Sequence, residues 1–166
     1  MKRITGRFGL ALATLALLTL SLPTVARTQG AYGDPVPLDL TVEATADPAA
    51  TYSLPSDPLV VSMKLNGTGA GEPLGEVATV DQCLMQQDVY GTDVAFEMTG
   101  VITTAGGDAV YYKAQGPVQS EAATFEITGG KGKYEGATGA GVLVATPGET
   151  EGEWTLQFDG VLSTAE

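Results

Sequence analysis

The run ITGGKGKYEGATGAG at residues 127–141 carries six glycines in fifteen residues. Glycine loses more backbone freedom on folding than any other residue, so this density argues against a helix or an ordinary strand interior. Segments with the alternating pattern of β-strands precede and follow the run. It therefore predicts a tight, shaped connection between two strands of an all-β domain.

The lysines of this run do not make it a nucleotide-binding motif. A P-loop requires Gly-Lys-Ser/Thr, whereas Lys131 and Lys133 are followed by Gly132 and Tyr134. The dinucleotide fingerprint would need glycine in place of Glu135, and no helical pattern follows. We therefore expect a structural turn with solvated lysines, anchored by Tyr134.

Alternation of apolar and polar residues predicts eight strands in total, and none of these segments shows a sustained helical period. The strands fall at residues 38–44, 59–66, 75–84, 93–103, 109–115, 121–128, 140–146 and 153–163. Gly, Pro and Asp mark the connections, among them a predicted glycine-rich loop at 66–73. Closure into a barrel removes exposed edges, and glycines at 100, 141 and 160 suit bends at barrel corners. We therefore favour an eight-stranded antiparallel β-barrel, with a sandwich as the alternative.

The first 26 residues have the pattern of a secretory signal peptide. Three basic residues precede an apolar run from Phe8 to Leu22, and small residues up to Ala26 offer a cleavage point. The run is shorter than the roughly 20 residues that span a bilayer. We expect a secreted, periplasmic or cell-surface protein without a membrane span after cleavage; an uncleaved N-terminal anchor is the alternative.

The domain organisation follows from this division. Residues 27–57 form an arm rich in Pro, Ala and Asp with a possible first strand, and residues 58–166 form the barrel. Cleavage after Ala26 removes three of the eight basic residues and none of the 20 acidic ones, which leaves a net charge of −15. A surface this acidic repels phosphate backbones, so nucleic acid is not an expected partner.

The absence of histidine from the sequence narrows the available chemistry. It excludes Ser-His-Asp and Cys-His arrangements and zinc sites that need imidazole. The acidic residues are scattered and form no calcium-binding loop. We therefore expect no metal and no cofactor, and any catalysis must use carboxylates, Tyr, Lys or the shape of a cavity. The single cysteine, Cys83, is expected to be a small buried apolar residue.

Residues 125–139, FEITGGKGKYEGATG, resemble the signature ITGGTG-(K/R)-(Y/F)-x-G-A-x-G of the allene oxide cyclase barrel superfamily. That superfamily includes allene oxide cyclases, dirigent proteins and secreted bacterial relatives; Lys131 stands where Thr is usual. Weaker matches at 75–83, 100–103 and 159–162 extend the resemblance over about Leu59 to Ser163. It implies a calycin-like eight-stranded barrel with an apolar cavity. It also implies one of two reactions, cyclisation of a fatty-acid epoxide or oriented coupling of phenol radicals. Both reactions depend on enclosing the substrate.

Our first functional hypothesis is a secreted barrel that binds a small apolar molecule in its lumen, with cofactor-free cyclase or isomerase activity as one form of it. The side chains expected to line the lumen are Phe96, Met98, Tyr112, Phe125, Trp154 and Phe158, with Leu156 beside them. The alternative is that these side chains simply fill a closed core. No catalytic residue is assigned.

The polar candidates are Gln82, Cys83, Glu97, Tyr111 and Glu126. Glu97 and Glu126 are expected on the solvated outer face, opposite Phe96 and Phe125. Adjacent residues of a strand point to opposite sides, so only one of Tyr111 and Tyr112 faces inward. The second hypothesis is a non-enzymatic extracellular or cell-surface barrel that self-associates into a homo-oligomer through its outer face.

Overall fold

Nine β-strands and two short 3-10 helices make up the part of the chain that the computed structural model describes, residues 33–54, 59–87, 90, 93–117 and 122–165. The strands are β1 (Val36–Ala46), β2 (Tyr52–Leu54), β3 (Leu59–Glu72), β4 (Gly75–Gln87), β5 (Asp93–Thr104), β6 (Ala109–Gly116), β7 (Ala123–Lys131), β8 (Thr138–Pro147) and β9 (Glu153–Ser163). The 3-10 helices span Pro48–Ala50 and Gly132–Tyr134. The predicted signal peptide and its cleavage site lie outside the described residues.

Eight of these strands close into an antiparallel barrel, which confirms the predicted fold. Each strand from β3 to β8 pairs with the next along the chain, and β1 closes the ring by pairing with both β9 and β3. The short β2 pairs only with β3 and stays outside the ring. The barrel therefore begins with β1, inside the segment predicted as the N-terminal arm. No helix in the described part of the chain is long and apolar enough to cross a membrane.

The glycine-rich run is only partly a connection, and here the prediction was too broad. Strand β7 continues to Lys131 and β8 begins at Thr138. The pairing of β6 with β7 shifts by one residue here, because Tyr111 pairs with Gly129 while Tyr112 pairs with Ile127. Gly129, at this shift, has φ 151°. Gly130 faces the backbone oxygens of Ala109 and Tyr134 so closely that a Cβ would overlap them. Glycine therefore allows strand backbone and turn to touch. The buried Tyr134 ring anchors the turn, as predicted.

The predicted loop at 66–73 is wrong, because β3 runs without interruption to Glu72. Its glycines at 67, 69 and 71 occupy inward positions on the strand. A Cβ on Gly69 or Gly71 would overlap the backbone of β1, and one on Gly67 would meet Val42 and Thr79. The glycines therefore let β1 approach β3 and close the barrel; they do not break the strand.

Inward side chains fill most of the barrel. Alternate residues of β1, β4, β5, β6 and β9 are buried while their neighbours are exposed, as the period of two requires. The fully buried side chains include Leu40, Val110, Leu143, Leu156 and Phe158. An eight-stranded barrel is just wide enough for its side chains to meet at the axis. The lumen is therefore mainly a packed core.

Candidate functional site

A buried carboxyl group interrupts the apolar lumen. Asp81 on β4 is 1% exposed and Tyr112 on β6 is 3% exposed. The Tyr112 hydroxyl lies 2.8 Å from Asp81 Oδ1 and can donate a hydrogen bond to it. The same hydroxyl lies 3.1 Å from the sulfur of Met98 on β5. Asp81 Oδ2 and the nearby Thr79 Oγ1 have no hydrogen-bond partner among the described residues.

Register brings this pair together across an intervening strand. Asp81 is the Cα partner of Gly100, and Gly100 is the partner of Tyr112. A Cβ on Gly100 would overlap both Asp81 Oδ1 and the Tyr112 ring. The missing side chain of Gly100 thus provides the space in which Tyr112 reaches across β5 to Asp81.

Burial changes the acidity of both groups. Removal from water raises the pKa of the Asp81 carboxyl from 3.8 to about 6, against the opposing effect of the hydrogen bond from the Tyr112 hydroxyl. Burial and the neighbouring Asp81 raise the pKa of the Tyr112 hydroxyl well above its usual range. Tyr112 therefore remains a donor, while Asp81 can exchange a proton near neutral pH. A carboxyl with these properties can act as a general acid or base.

Aromatic rings pack beside the pair. Tyr112 and Phe158 meet edge to face with ring centroids 5.0 Å apart, and Phe125 meets Phe158 in the same way at 5.5 Å. The Phe125 ring lies against Gly141 and Gly160, where a Cβ on either glycine would crowd it. These rings close the middle of the barrel around the carboxyl.

A small cavity lies between this pair and the end of the barrel at which β4 ends and β5 begins. Its lining consists of Met63, Leu65, Cys83, Met85, Phe96, Met98, Ala145, Trp154 and Leu156. The volume open to the centre of a water molecule is about 10 Å³, room for roughly one water. Met63, Ala145 and Trp154 are half-buried and form the side nearest to solvent.

A larger groove opens to solvent at the same end. It has a volume of about 640 Å³ and runs over the ends of β3 to β7, a size that suits a small organic molecule. Its apolar lining includes Val60, Leu84, Ala95, Phe96, Pro117 and Ala123, and four exposed polar residues line it as well, Gln86, Glu97, Gln115 and Thr124. Phe96 is a lining residue of both the groove and the inner cavity.

All six predicted lumen residues face inward. Phe96, Met98 and Trp154 line the small cavity, whereas Tyr112, Phe125 and Phe158 form the aromatic cluster deeper in the barrel. The inward position of Tyr112 and the 38% exposure of Tyr111 agree with the predicted alternation. Cys83 is buried, also as predicted.

The remaining polar candidates lie on the outer face. Glu97 is exposed, and Glu126 pairs with Lys113 at 2.9 Å. Gln82 is exposed and donates to Ser62 Oγ at 2.8 Å. Asp81 was missed as a site residue although it stood on the inward face together with Val77, Thr79 and Cys83. A charged residue at an inward position of an otherwise apolar face was the available signal.

Metal-binding clusters of the usual kind are absent from the described residues, where no three His, Cys, Asp or Glu side chains converge.

No protein-family model matches the chain, and no curated protein sequence matches it either. Solved structures do resemble it. A pterocarpan synthase dirigent protein, GePTS1, superposes with a TM-score of 0.57 at 16% identity over 91% of this chain and 100% of its own. A second, PsPTS1, superposes with a TM-score of 0.54 at 14% identity over 82% of this chain and 99% of its own. The chain thus has a dirigent-like barrel fold.

Proposed function

We propose that this protein is an exported barrel that binds a small, mainly apolar molecule and acts on it as a cofactor-free cyclase or isomerase. The observation that carries the proposal is Asp81, a buried carboxyl with a pKa of about 6 and a hydroxyl donor beside it, one of whose oxygens has no hydrogen-bond partner in the described part of the chain. A purely structural core has no need of a group whose ionised form is so costly to bury.

The ligand would enter from the end of the barrel that carries the outer groove. Its apolar part lies in the groove, and rotation of Phe96 joins the groove to the cavity behind it. The Met98 side chain, which stands between the cavity and the Tyr112 hydroxyl, is unbranched and adapts its shape readily. Movement of these two side chains brings a reactive atom to Asp81 without opening the strands.

Each residue then has a defined task. The Asp81 carboxylate removes a proton from the ligand, and the carboxylic acid so formed returns it. The single proton of the Tyr112 hydroxyl, which is donated to Asp81 in the free protein, turns to a ligand oxygen on which negative charge develops. Trp154, Phe125 and Phe158 exclude water from the carboxyl, while the apolar lining of the groove holds the apolar part of the ligand. The two structural relatives are named for the synthesis of pterocarpans, which supports small-molecule chemistry as a use of this fold.

Native mass spectrometry combined with turnover tests this function. We expect the protein isolated from its own source to carry a small apolar molecule, and we expect turnover of an unsaturated fatty-acid epoxide. If Asp81 acts as a base, kcat/KM rises with pH up to about 6 and is then constant, because only the carboxylate is active. Asp81→Asn should lower kcat by about 10²- to 10⁴-fold, the usual contribution of a general base.

The control for this experiment is Asp159→Asn, which removes an exposed carboxyl from the outer face of β9, away from the residues that line the groove, and should leave turnover unchanged. A wild-type protein that carries no ligand and takes up none of the offered epoxides would contradict the proposal. Equal turnover by wild type and Asp81→Asn would leave ligand binding standing but remove Asp81 from the mechanism.

The second candidate function is a non-enzymatic barrel that self-associates through its outer face. It is favoured by a row of three exposed apolar side chains, Val80, Val101 and Tyr111, which are Cα partners on β4, β5 and β6. Their exposed fractions are 50%, 36% and 38%. A second copy of the chain would cover such a row and remove its apolar surface from water.

A further inference from the structure

The sulfur-containing side chains of the described residues all meet at the small cavity. Met63, Cys83, Met85 and Met98 line it together. Met63 and Met98 are the Cα partners of Cys83 on the two flanking strands, and Met85 follows Cys83 on the same inward face. Directly opposite side chains of antiparallel strands have Cβ atoms about 4.5–5.5 Å apart. One thiol and three flexible thioethers can therefore turn their sulfurs toward one point.

We propose that Met63, Cys83, Met85 and Met98 form a binding site for a single soft monovalent metal ion, Cu(I). Thiolate and thioether sulfurs favour soft metal ions, Cu(I) among them, whereas Mg²⁺ and Ca²⁺ require oxygen. Zn(II) also binds thiolate, but its structural sites take four Cys or His ligands, and this cavity offers one Cys and three thioethers. The other lining residues are Leu65, Phe96, Ala145, Trp154 and Leu156, whose side chains offer no oxygen or imidazole nitrogen. The donor set of the cavity is thus sulfur alone.

Charge and size both favour a monovalent ion. Binding replaces the proton of the Cys83 thiol by the metal; that proton goes to solvent, and the copper remains in the +1 state throughout. The resulting thiolate and Cu(I) together carry no net charge, which suits an apolar site, whereas a divalent ion would leave an unpaired buried positive charge. The cavity has room for about one water-sized particle, so it matches one ion better than a cluster.

The surroundings order this site and give access to it. The Tyr112 hydroxyl lies 3.1 Å from Met98 Sδ, which places that sulfur at the inner side of the cavity. Cys83, Met85 and Met98 are each 3% exposed, whereas Met63 and Trp154 are half-buried at the barrel end. An ion can therefore enter past Met63 and then be shielded from water. This inference goes beyond the proposed function and does not depend on it.

Competition with a chromogenic Cu(I) chelator under anaerobic conditions tests the site. The purified chain is titrated with the Cu(I)–bicinchoninate complex in the presence of ascorbate. We expect transfer of one Cu(I) per chain, with quenching of Trp154 fluorescence that ends at one equivalent, since Trp154 is the single tryptophan of the chain and lines the cavity. X-ray absorption should show a coordination shell made of sulfur.

Variants separate this site from adventitious binding. Met63→Leu and Met98→Leu conserve volume and should each weaken binding by about tenfold or more, as the loss of a metal-supporting group does. Cys83→Ala should abolish transfer from the chelator. Leu65→Ile and Leu156→Ile are matched controls, because they alter the same cavity without removing sulfur and should change the affinity by less than about threefold.

The proposal is overturned if no stoichiometric amount of Cu(I) passes from the chelator to the wild type, or if the coordination shell of the copper consists mainly of nitrogen and oxygen. It is also overturned if a folded variant with Met63, Met85 and Met98 all replaced by Leu binds Cu(I) with unchanged affinity. If Cys83→Ala does not fold, the Met→Leu series decides the matter by itself, with far-UV circular dichroism as the check of folding.

Discussion

At the residue scale, one carboxyl group connects stability with chemistry. Asp81 lies in an apolar lumen although its ionised form is more stable in water, and this burial raises its pKa to about 6. Gly100 provides the room for its contact with Tyr112. Because the folded state prefers the protonated form, Asp81 opposes folding increasingly as the pH rises from about 4 to 6, and the full cost remains above that range.

Asp81→Asn should therefore flatten the dependence of stability on pH. The variant minus wild-type difference in the free energy of unfolding should grow by about 2 kcal/mol between pH 4 and pH 7, given a shift from 3.8 to about 6. Urea unfolding at unit pH intervals measures this difference. Asp159→Asn, which removes an exposed carboxyl of β9, is the control and should show little such growth. Parallel pH profiles for wild type and Asp81→Asn would refute the assignment.

At the element scale, glycines set how closely strands approach one another. Gly141 on β8 and Gly160 on β9 are Cα partners, and the Phe125 ring from β7 packs against both. The glycines of β3 likewise admit β1. Closely spaced glycines in this chain therefore allow strands to continue where side chains would collide with a neighbouring strand. For this reason the predicted loop at 66–73 and part of the run at 127–141 are strand.

Phe125→Ala tests this packing. Phe125 is 3% exposed and meets Phe158 at 5.5 Å, so its truncation should cost about 3–5 kcal/mol of unfolding free energy in urea titrations. Val161→Ala on the outer face of β9, where Val161 is 44% exposed, should cost much less. A loss below about 1 kcal/mol would show that Phe125 lines an adaptable cavity and does not belong to the fixed core.

At the scale of the whole molecule, closure by β1 removes every long open edge among the eight barrel strands. Edge-to-edge pairing is therefore not a route to assembly for these eight strands, and self-association through them must use the outer face of the barrel. The exposed row of Val80, Val101 and Tyr111 is the surface that the second candidate function requires.

Light scattering after size exclusion measures whether that row is an interface. If it is, the wild type should elute as a multiple of the chain mass, and Val101→Glu should shift the distribution to monomer by burying a charge between copies. Val142→Glu is the matched control, since Val142 is a comparably exposed valine on β8, outside the row. A wild type that stays monomeric at high concentration would rule out the interface.

The sequence by itself determined the class of fold and the orientation of most side chains. Alternate Cβ atoms of a strand point to opposite faces, so the pattern at 111–112 is enough to place Tyr112 inward and Tyr111 outward. The same rule placed Phe96, Met98, Phe125 and Phe158 in the lumen. These orientations are local consequences of strand geometry, and they do not depend on which strands pair with each other.

Only the tertiary structure decided which inward residues meet. Asp81, Gly100 and Tyr112 lie on three strands, as do Met63, Cys83 and Met98, and each set forms a row only because the register aligns its members. A shift of one residue in either pairing would turn the partner outward. Register depends on turns, bulges and glycine contacts distributed over the whole barrel, and for that reason the carboxyl site and the sulfur cavity could not be predicted from the sequence.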